Sequence, residues 1–201
     1  MPNSYREAIA GYIAREARPV EKYGHQPRLY ALAQQIGARI PHDDDVLYAA
    51  AWLHDLGVFV GHRPEDPVQL VTWDHVAYVT ARAPAILTEA AFPAEKIPAV
   101  LEAIRTHQPQ DEPATIEGII LRDADILEQL GAIGILRTVC KVGRDTRFHT
   151  FTDAVGSLRK ALANLPPKIK LDPTRAVAQP KIAVLSAFLE AVDNEGYGSL
   201  L

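Results

Sequence analysis

The stretch Ala49-Ala50-Ala51-Trp52-Leu53-His54-Asp55-Leu56-Gly57 decides the fold. Its apolar part reads as a buried helix that ends in a His-Asp doublet, with Gly57 as a C-terminal stop. Val46, Leu47, Ala50, Ala51 and His54 recur at helical spacing, so His54 sits on the buried stripe and Asp55 lies to one side of it. An unpaired carboxylate is costly to bury, so Asp55 must be neutralised, hydrogen-bonded or bound to a metal. One divalent cation would satisfy both side chains of the doublet.

Working outward, further histidines head or end amphipathic helices. His25 leads the stripe Leu29, Leu32, Ala33, Ile36 and Ile40. His75 shares a face with Val76, Val79 and Ala83, behind Asp74 as a cap. His107 continues the stripe of Val100 and Ile104. Each alone reads as a buried histidine hydrogen-bonded to backbone. Four of them, in a chain with 7 histidines, read as a common ligand set. The segment Ile116–Leu130 is apolar nearly all round, which marks a central helix. It carries Asp123 and Asp125. Asp123 lies at the centre of the stripe formed by Ile116, Ile119, Ile120, Leu127 and Leu130, and Asp125 lies on another face. Imidazole and carboxylate ligands suit Mn, Fe, Ni, Zn or Mg.

The remaining segments set the frame. Ser4 and Glu7 form a capping box for a first helix. Pro41 to Asp45 reads as a turn with a solvated aspartate cap and an exposed His42. Val58 to Trp73 reads as a loop in which His62 and Arg63 could meet an anionic substrate or simply be solvated. Pro84 is expected to kink or end its helix. Gly131-Ala132-Ile133-Gly134 lacks phosphate-loop spacing and reads as close helix packing. Two amphipathic helices follow Phe151, and Tyr197 to Leu201 reads as a loose end. With no strand pattern or repeat, the expected architecture is all-α, with seven to nine helices.

The composition is that of a globular chain: 201 residues, 48% hydrophobic, 23% charged. A net charge of −4 argues against a protein that coats long nucleic acid or an anionic membrane. A single cysteine, Cys140, excludes an internal disulfide and a cysteine-based zinc site. The opening residues Met1 to Glu7 carry no apolar signal core and no apolar run is long enough to span a bilayer, so a cytoplasmic protein is expected.

Taken together, His25 with Arg28, the Ala-Ala-Trp-Leu-His54-Asp55-Leu-Gly run, His75, Ile104-Arg105-Thr106-His107 and Asp123-Ala124-Asp125-Ile126-Leu127 resemble the HD-domain metal-dependent phosphohydrolases. The run Leu130 to Arg137 is similar to a subgroup of small bacterial HD proteins. The resemblance implies a single HD-type helical domain over 1–201, with a metal-binding core at about 20–140 and helices at 151–195 packed on it. It implies His25, His54, Asp55 and Asp125 as metal ligands, with Asp123 in reserve. His75 and His107 match positions that hold a second metal in dinuclear members and face the substrate in mononuclear ones. One ion per chain, with manganese favoured, is expected. Arg28, His75, His107 and Arg137 are the expected substrate contacts, with Lys160 a further candidate.

The chain departs from the family at Val58, where many members carry a lysine or an acidic residue. Asp55 and His75 are therefore the expected catalytic groups, with Glu65 and Asp66 as other sources of the acid. The implied activity is hydrolysis of a phosphate ester or phosphoanhydride, most plausibly of a nucleotide, by a small-molecule enzyme that could be a homodimer. The alternatives are a dinuclear iron oxygenase on the same scaffold, or a nucleotide-binding regulatory module that has lost turnover.

Overall fold

The structure is a computed structural model and describes residues 4–144, 148–196 and 198. The readings made for Met1 to Asn3 and, Gly198 apart, for Tyr197 to Leu201 fall outside the described residues.

The described residues form ten α-helices: α1 (Tyr5–Glu16), α2 (His25–Gly37), α3 (Asp44–Leu53), α4 (Pro67–Val71), α5 (His75–Glu89), α6 (Ile97–Arg105), α7 (Ile116–Glu128), α8 (Gly131–Val139), α9 (Phe151–Asn164) and α10 (Asp172–Gly196). Short 3-10 turns lie at Val20–Lys22, Leu56–Val58, Ala94–Lys96 and Pro166–Lys168. The expected all-α class is the observed one, and among the described residues only an isolated bridge, Val60 with Arg63, departs from it. No helix of the described residues is long and apolar enough to cross a membrane.

Local chemistry explains most boundaries. Ser4 and Glu7 close a capping box on α1, and Thr150 with Asp153 does the same for α9. Asp43 accepts from the amides of Asp45 and Val46 at the start of α3, and Asp74 accepts from Ala77 at the start of α5. Pro84 does not end its helix: α5 runs through it to Glu89. An interior proline costs about 3 kcal/mol. Burial of Val79, Ala83, Ile86 and Leu87 on one face offsets that cost. The loop after the doublet contains α4, which Asp66 caps and Pro67 opens.

The chain divides into two compact units, Met1–Arg122 and Asp123–Leu201, with the boundary inside α7. In the first unit α3 is the hub: every residue from Val46 to Leu53 is buried, and α1, α2 and α6 pack on it. Helix α5 packs on α6, on α1 and on the turn Leu56–Val58. In the second unit α8, α9 and α10 pack on one another.

The aspartate turn is not the simple solvated cap expected of it. Lys96 Nζ lies 2.9 Å from Asp43 and 2.8 Å from Asp45, and Arg6 lies 2.9 Å from Asp44 and 2.7 Å from Asp45. Tyr30 donates to Asp44 at 2.9 Å, and Tyr5 donates to Asp45. The network ties α1, α2 and the start of α6 to the head of α3. His42 is likewise largely covered, with Nδ1 2.7 Å from the Ile40 carbonyl.

Candidate metal centre

Helix α3 delivers the doublet. His54 is its C-cap and is fully buried, while the Asp55 side chain is 21% exposed. His54 Nδ1 lies 3.0 Å from the Ala51 carbonyl, and His107 Nδ1 lies 2.6 Å from the Ile104 carbonyl. A carbonyl only accepts, so both Nδ1 atoms carry a proton, and in the neutral ring each Nε2 presents a lone pair. A backbone partner on one ring nitrogen is the usual way to aim the other at a metal.

The donors converge. His25 Nε2 lies 3.2 Å from His54 Nε2. Asp55 Oδ2 is 3.5 Å from the first and 3.6 Å from the second. Donor atoms of His54, Asp55 and His107 fall within 4.8 Å of one another. Ring centroids are 5.2 Å apart for His25 and His54, 5.0 Å for His54 and His107, and 5.9 Å for His75 and His107.

This donor set fits a divalent ion. Ligand bonds of about 2.1 Å give ligand–ligand edges of about 3.0 Å at a right angle and about 3.4 Å at a tetrahedral angle. The edges of 3.2, 3.5 and 3.6 Å among His25, His54 and Asp55 are close to that range. A proton shared by the two imidazoles would serve one edge; a cation at the common centre serves all three. Burial pushes the Asp55 carboxyl up, and the imidazoles of His54, His25, His107 and His75 more than offset it, leaving it below the usual carboxylate range. Asp55 is therefore ionised at neutral pH.

The turn after the doublet is unusually well held. Its Gly57 carbonyl accepts from Trp73 Nε1 at 2.8 Å, and its Val58 carbonyl accepts from Lys22 Nζ at 2.7 Å. The Val60 amide donates to the Arg18 carbonyl at 3.0 Å. Gly57 is not the helix stop expected of it, since α3 ends at Leu53 and Gly57 lies inside the Leu56–Val58 turn; instead, a Cβ there would lie 2.8 Å from the His75 carbonyl oxygen and 3.0 Å from its Cα. The missing side chain is what lets the first residue of α5 lie against the doublet turn.

The other sequence candidates have contacts of their own. Asp123 is fully buried, as its stripe implied, but its two oxygens accept from the Lys170 and Leu171 amides at 3.1 and 2.9 Å. Asp125, further along α7, accepts from Gln129 Nε2 at 3.0 Å. Arg137 on α8 lies 3.3 Å from the buried Glu128. Arg28 sits half-buried one turn after His25. Glu65 is exposed, Asp66 is engaged as the α4 cap, and Lys160 is exposed on α9. Sequence reasoning passed over Lys22 and Trp73, and it read His62 as facing an anionic substrate or solvent, not as packed against other elements. Their contacts span 16 to 46 residues, so no local pattern announces them.

An all-α scaffold that gathers histidines and an aspartate from the ends of several helices defines a class of candidate metal-centre proteins. Comparison sharpens the class. Residues 23–130, more than half of the chain, match the HD domain, and the chain belongs to the HD domain family. Among solved structures it is similar to YpgQ from Bacillus subtilis, at 22% identity and a TM-score of 0.74, over 96% of this chain and 97% of that one. YpgQ in complex with ADP matches at 21% identity and 0.73, over 96% of each chain. An HD-superfamily hydrolase from Bacillus thuringiensis matches at 20% identity and 0.69, over 97% of each chain. At these identities the likeness is one of fold. No curated protein matches the sequence.

Proposed function

We propose that this protein is a metal-dependent phosphohydrolase acting on a small phosphorylated substrate, most plausibly a nucleotide. The observation that carries the reading is the convergence of His25 Nε2, His54 Nε2 and ionised Asp55 Oδ2 on one point, with His75 and His107 beside it. The HD-superfamily names of the structural neighbours support the hydrolase class, and the ADP held by YpgQ supports a nucleotide.

In this reading His25, His54 and Asp55 hold the ion, and Asp125 supplies the fourth ligand, on the strength of the Ala124-Asp125-Ile126-Leu127 match. Asp123 drops out, because its carboxylate is engaged by two backbone amides. A bound divalent ion, with manganese favoured, supplies an acidified water and polarises a phosphoryl oxygen. Asp55, bound through one oxygen, orients the attacking water or takes up its proton. His75, on the first turn of α5, donates a proton to the leaving oxygen, a task the Val58 side chain cannot perform. Arg28 meets phosphoryl charge. Arg137 does so only on leaving its Glu128 pair. His107 carries its proton on Nδ1, so its Nε2 suits a cation; it contacts a phosphate oxygen only as imidazolium. The closeness of the His75 and His107 rings is what keeps a second ion, and with it a di-iron reading, in play.

The test is a screen of nucleotides and a generic phosphomonoester with Mn²⁺, run on the wild type and on Asp55→Ala. Turnover by the wild type that is abolished in the variant is the expected result. Full activity in Asp55→Ala would sink the assignment. Tight nucleotide binding without product would point instead to a regulatory module.

A further inference from the structure

Outside the metal centre, three titratable side chains of the first unit form a continuous relay. His62 Nε2 lies 2.9 Å from Glu16 Oε2, and His62 Nδ1 lies 2.9 Å from the Tyr78 hydroxyl. The His62 side chain is only 7% exposed, although it sits in the loop that follows the doublet. A carboxylate only accepts, so Nε2 carries the proton, and in the neutral ring Nδ1 accepts from the Tyr78 O–H. As imidazolium the ring donates at both nitrogens, and the phenol turns to accept. The link therefore persists in either protonation state. It joins the end of α1, the loop and the first turns of α5.

Several features place His62 there by construction. Gly61 takes a φ of 93°, which favours glycine. The amides of His62 and Arg63 both donate to the Phe59 carbonyl at 3.0 Å, closing a compact turn. The Phe59 and Tyr78 rings flank the imidazole at 6.4 and 5.8 Å.

We infer that Glu16, His62 and Tyr78 are positioning residues that seat His75 against the doublet; the inference rests on the hydrolase reading for its kinetic consequence. The first amides of a helix have no partner within it, so outside ties set where a first turn lies. Helix α5 starts at His75, and its own cap and two outside ties hold that end. Asp74 caps it, Trp73 Nε1 bonds the Gly57 carbonyl while its ring lies 5.3 Å from the Tyr78 ring, and the relay holds Tyr78, one turn beyond His75, to α1. Gly57 leaves no slack between the His75 backbone and the doublet turn. A shift of α5 is thus a shift of the His75 imidazole relative to Asp55.

The test uses the full chain and the variants Tyr78→Phe, His62→Gln and His62→Ala. Tyr78→Phe keeps the ring and removes only the O–H donor. Two readouts are taken: hydrolysis of bis(4-nitrophenyl) phosphate with Mn²⁺, and ¹⁵N-histidine NMR of the metal-free protein. In Tyr78→Phe, kcat is expected to fall by about tenfold while KM changes by less than about twofold, as for a reacting group displaced by a fraction of an ångström. The His75 ring resonances are expected to move in the same variant. His62→Ala behaves like Tyr78→Phe, and His62→Gln, which can still donate and accept, recovers part of the loss. Unmoved His75 resonances in Tyr78→Phe overturn the inference, whatever happens to kcat. Wild-type kcat in that variant overturns it too. If the wild type hydrolyses nothing, the hydrolase reading fails and the NMR result alone decides the relay.

Discussion

A methyl group added at Gly57 probes how the doublet and α5 fit together. In Gly57→Ala the new carbon would sit 2.8 Å from the His75 carbonyl oxygen and 3.0 Å from both His75 Cα and Cβ. Two of those three neighbours are backbone atoms, so no flexible side chain can swing away. Normal contact requires about half an ångström or more of separation, and either the Leu56–Val58 turn or the first turn of α5 must move. The turn is tied through the Gly57 and Val58 carbonyls to Trp73 and Lys22. Overpacking of this kind costs about 1–3 kcal/mol. For a chain of this size that is a fall in Tm of roughly 2–12 °C. His25 and His54 are fixed by α2 and α3, and the turn that follows Asp55 is held at both carbonyls, so the first turn of α5 is the element expected to give way. Mn²⁺ affinity measured by calorimetry is therefore expected to stay within a few-fold, while turnover that depends on His75 falls by about tenfold or more. A Gly57→Ala protein with wild-type Tm and wild-type turnover would refute the reasoning. Loss of Mn²⁺ affinity with turnover per bound ion preserved would refute it as well.

Asp123→Ala strips the acceptor from the Lys170 and Leu171 amides and is expected to cost about 2–4 kcal/mol in urea denaturation, with Mn²⁺ binding retained. Asp125→Ala is expected to do the reverse, and an Asp123 variant that loses the metal would exchange the two roles. Hydrogen bonds from Lys96, Tyr5 and Arg6 hold the Asp45 carboxyl well below the usual carboxylate range. A folded-state pKa below the unfolded one stabilises the fold above about pH 4, and that contribution is lost as pH falls toward the folded value. Asp45→Asn is accordingly expected to unfold at lower urea than wild type at pH 7, and the gap is expected to narrow by pH 3; an equal gap at both pH values would contradict the network's role.

The sequence was most legible where a chemical type coincided with a helix face. The apolar stripes running into His25, His54 and His107 pointed to side chains that are in fact buried, and the caps at Ser4, Asp43 and Asp74 sit where their residue types suggest. Asp123 shows the limit of the same method. Its stripe correctly turned it inward, but the amides it serves lie 47 and 48 residues away, so periodicity could not separate a structural carboxylate from a ligand. Pro84 failed as a helix breaker because packing of Ile86 and Leu87 outweighs the local penalty. The aspartates at 43–45 looked solvated, and His62 looked solvated or substrate-facing, because their surroundings are charged and loop-like. Glu16, Tyr78, Arg6, Tyr30 and Lys96 reach them only once the chain has folded. Gly57 read as a helix stop, yet α3 already ends at Leu53, and the close approach of His75 that calls for a glycine there belongs to tertiary structure.

The doublet's claim to a metal can be tested most directly by the metal content of the protein purified in the presence of Mn²⁺. Mass spectrometry of wild type, His54→Ala and Asp55→Ala would give the ions retained per chain. One divalent ion per wild-type chain, with less than about a tenth of that in either variant, is the expected result. A wild type that retains none, or variants that retain a full equivalent, would contradict the convergence of His25, His54 and Asp55 as a metal centre.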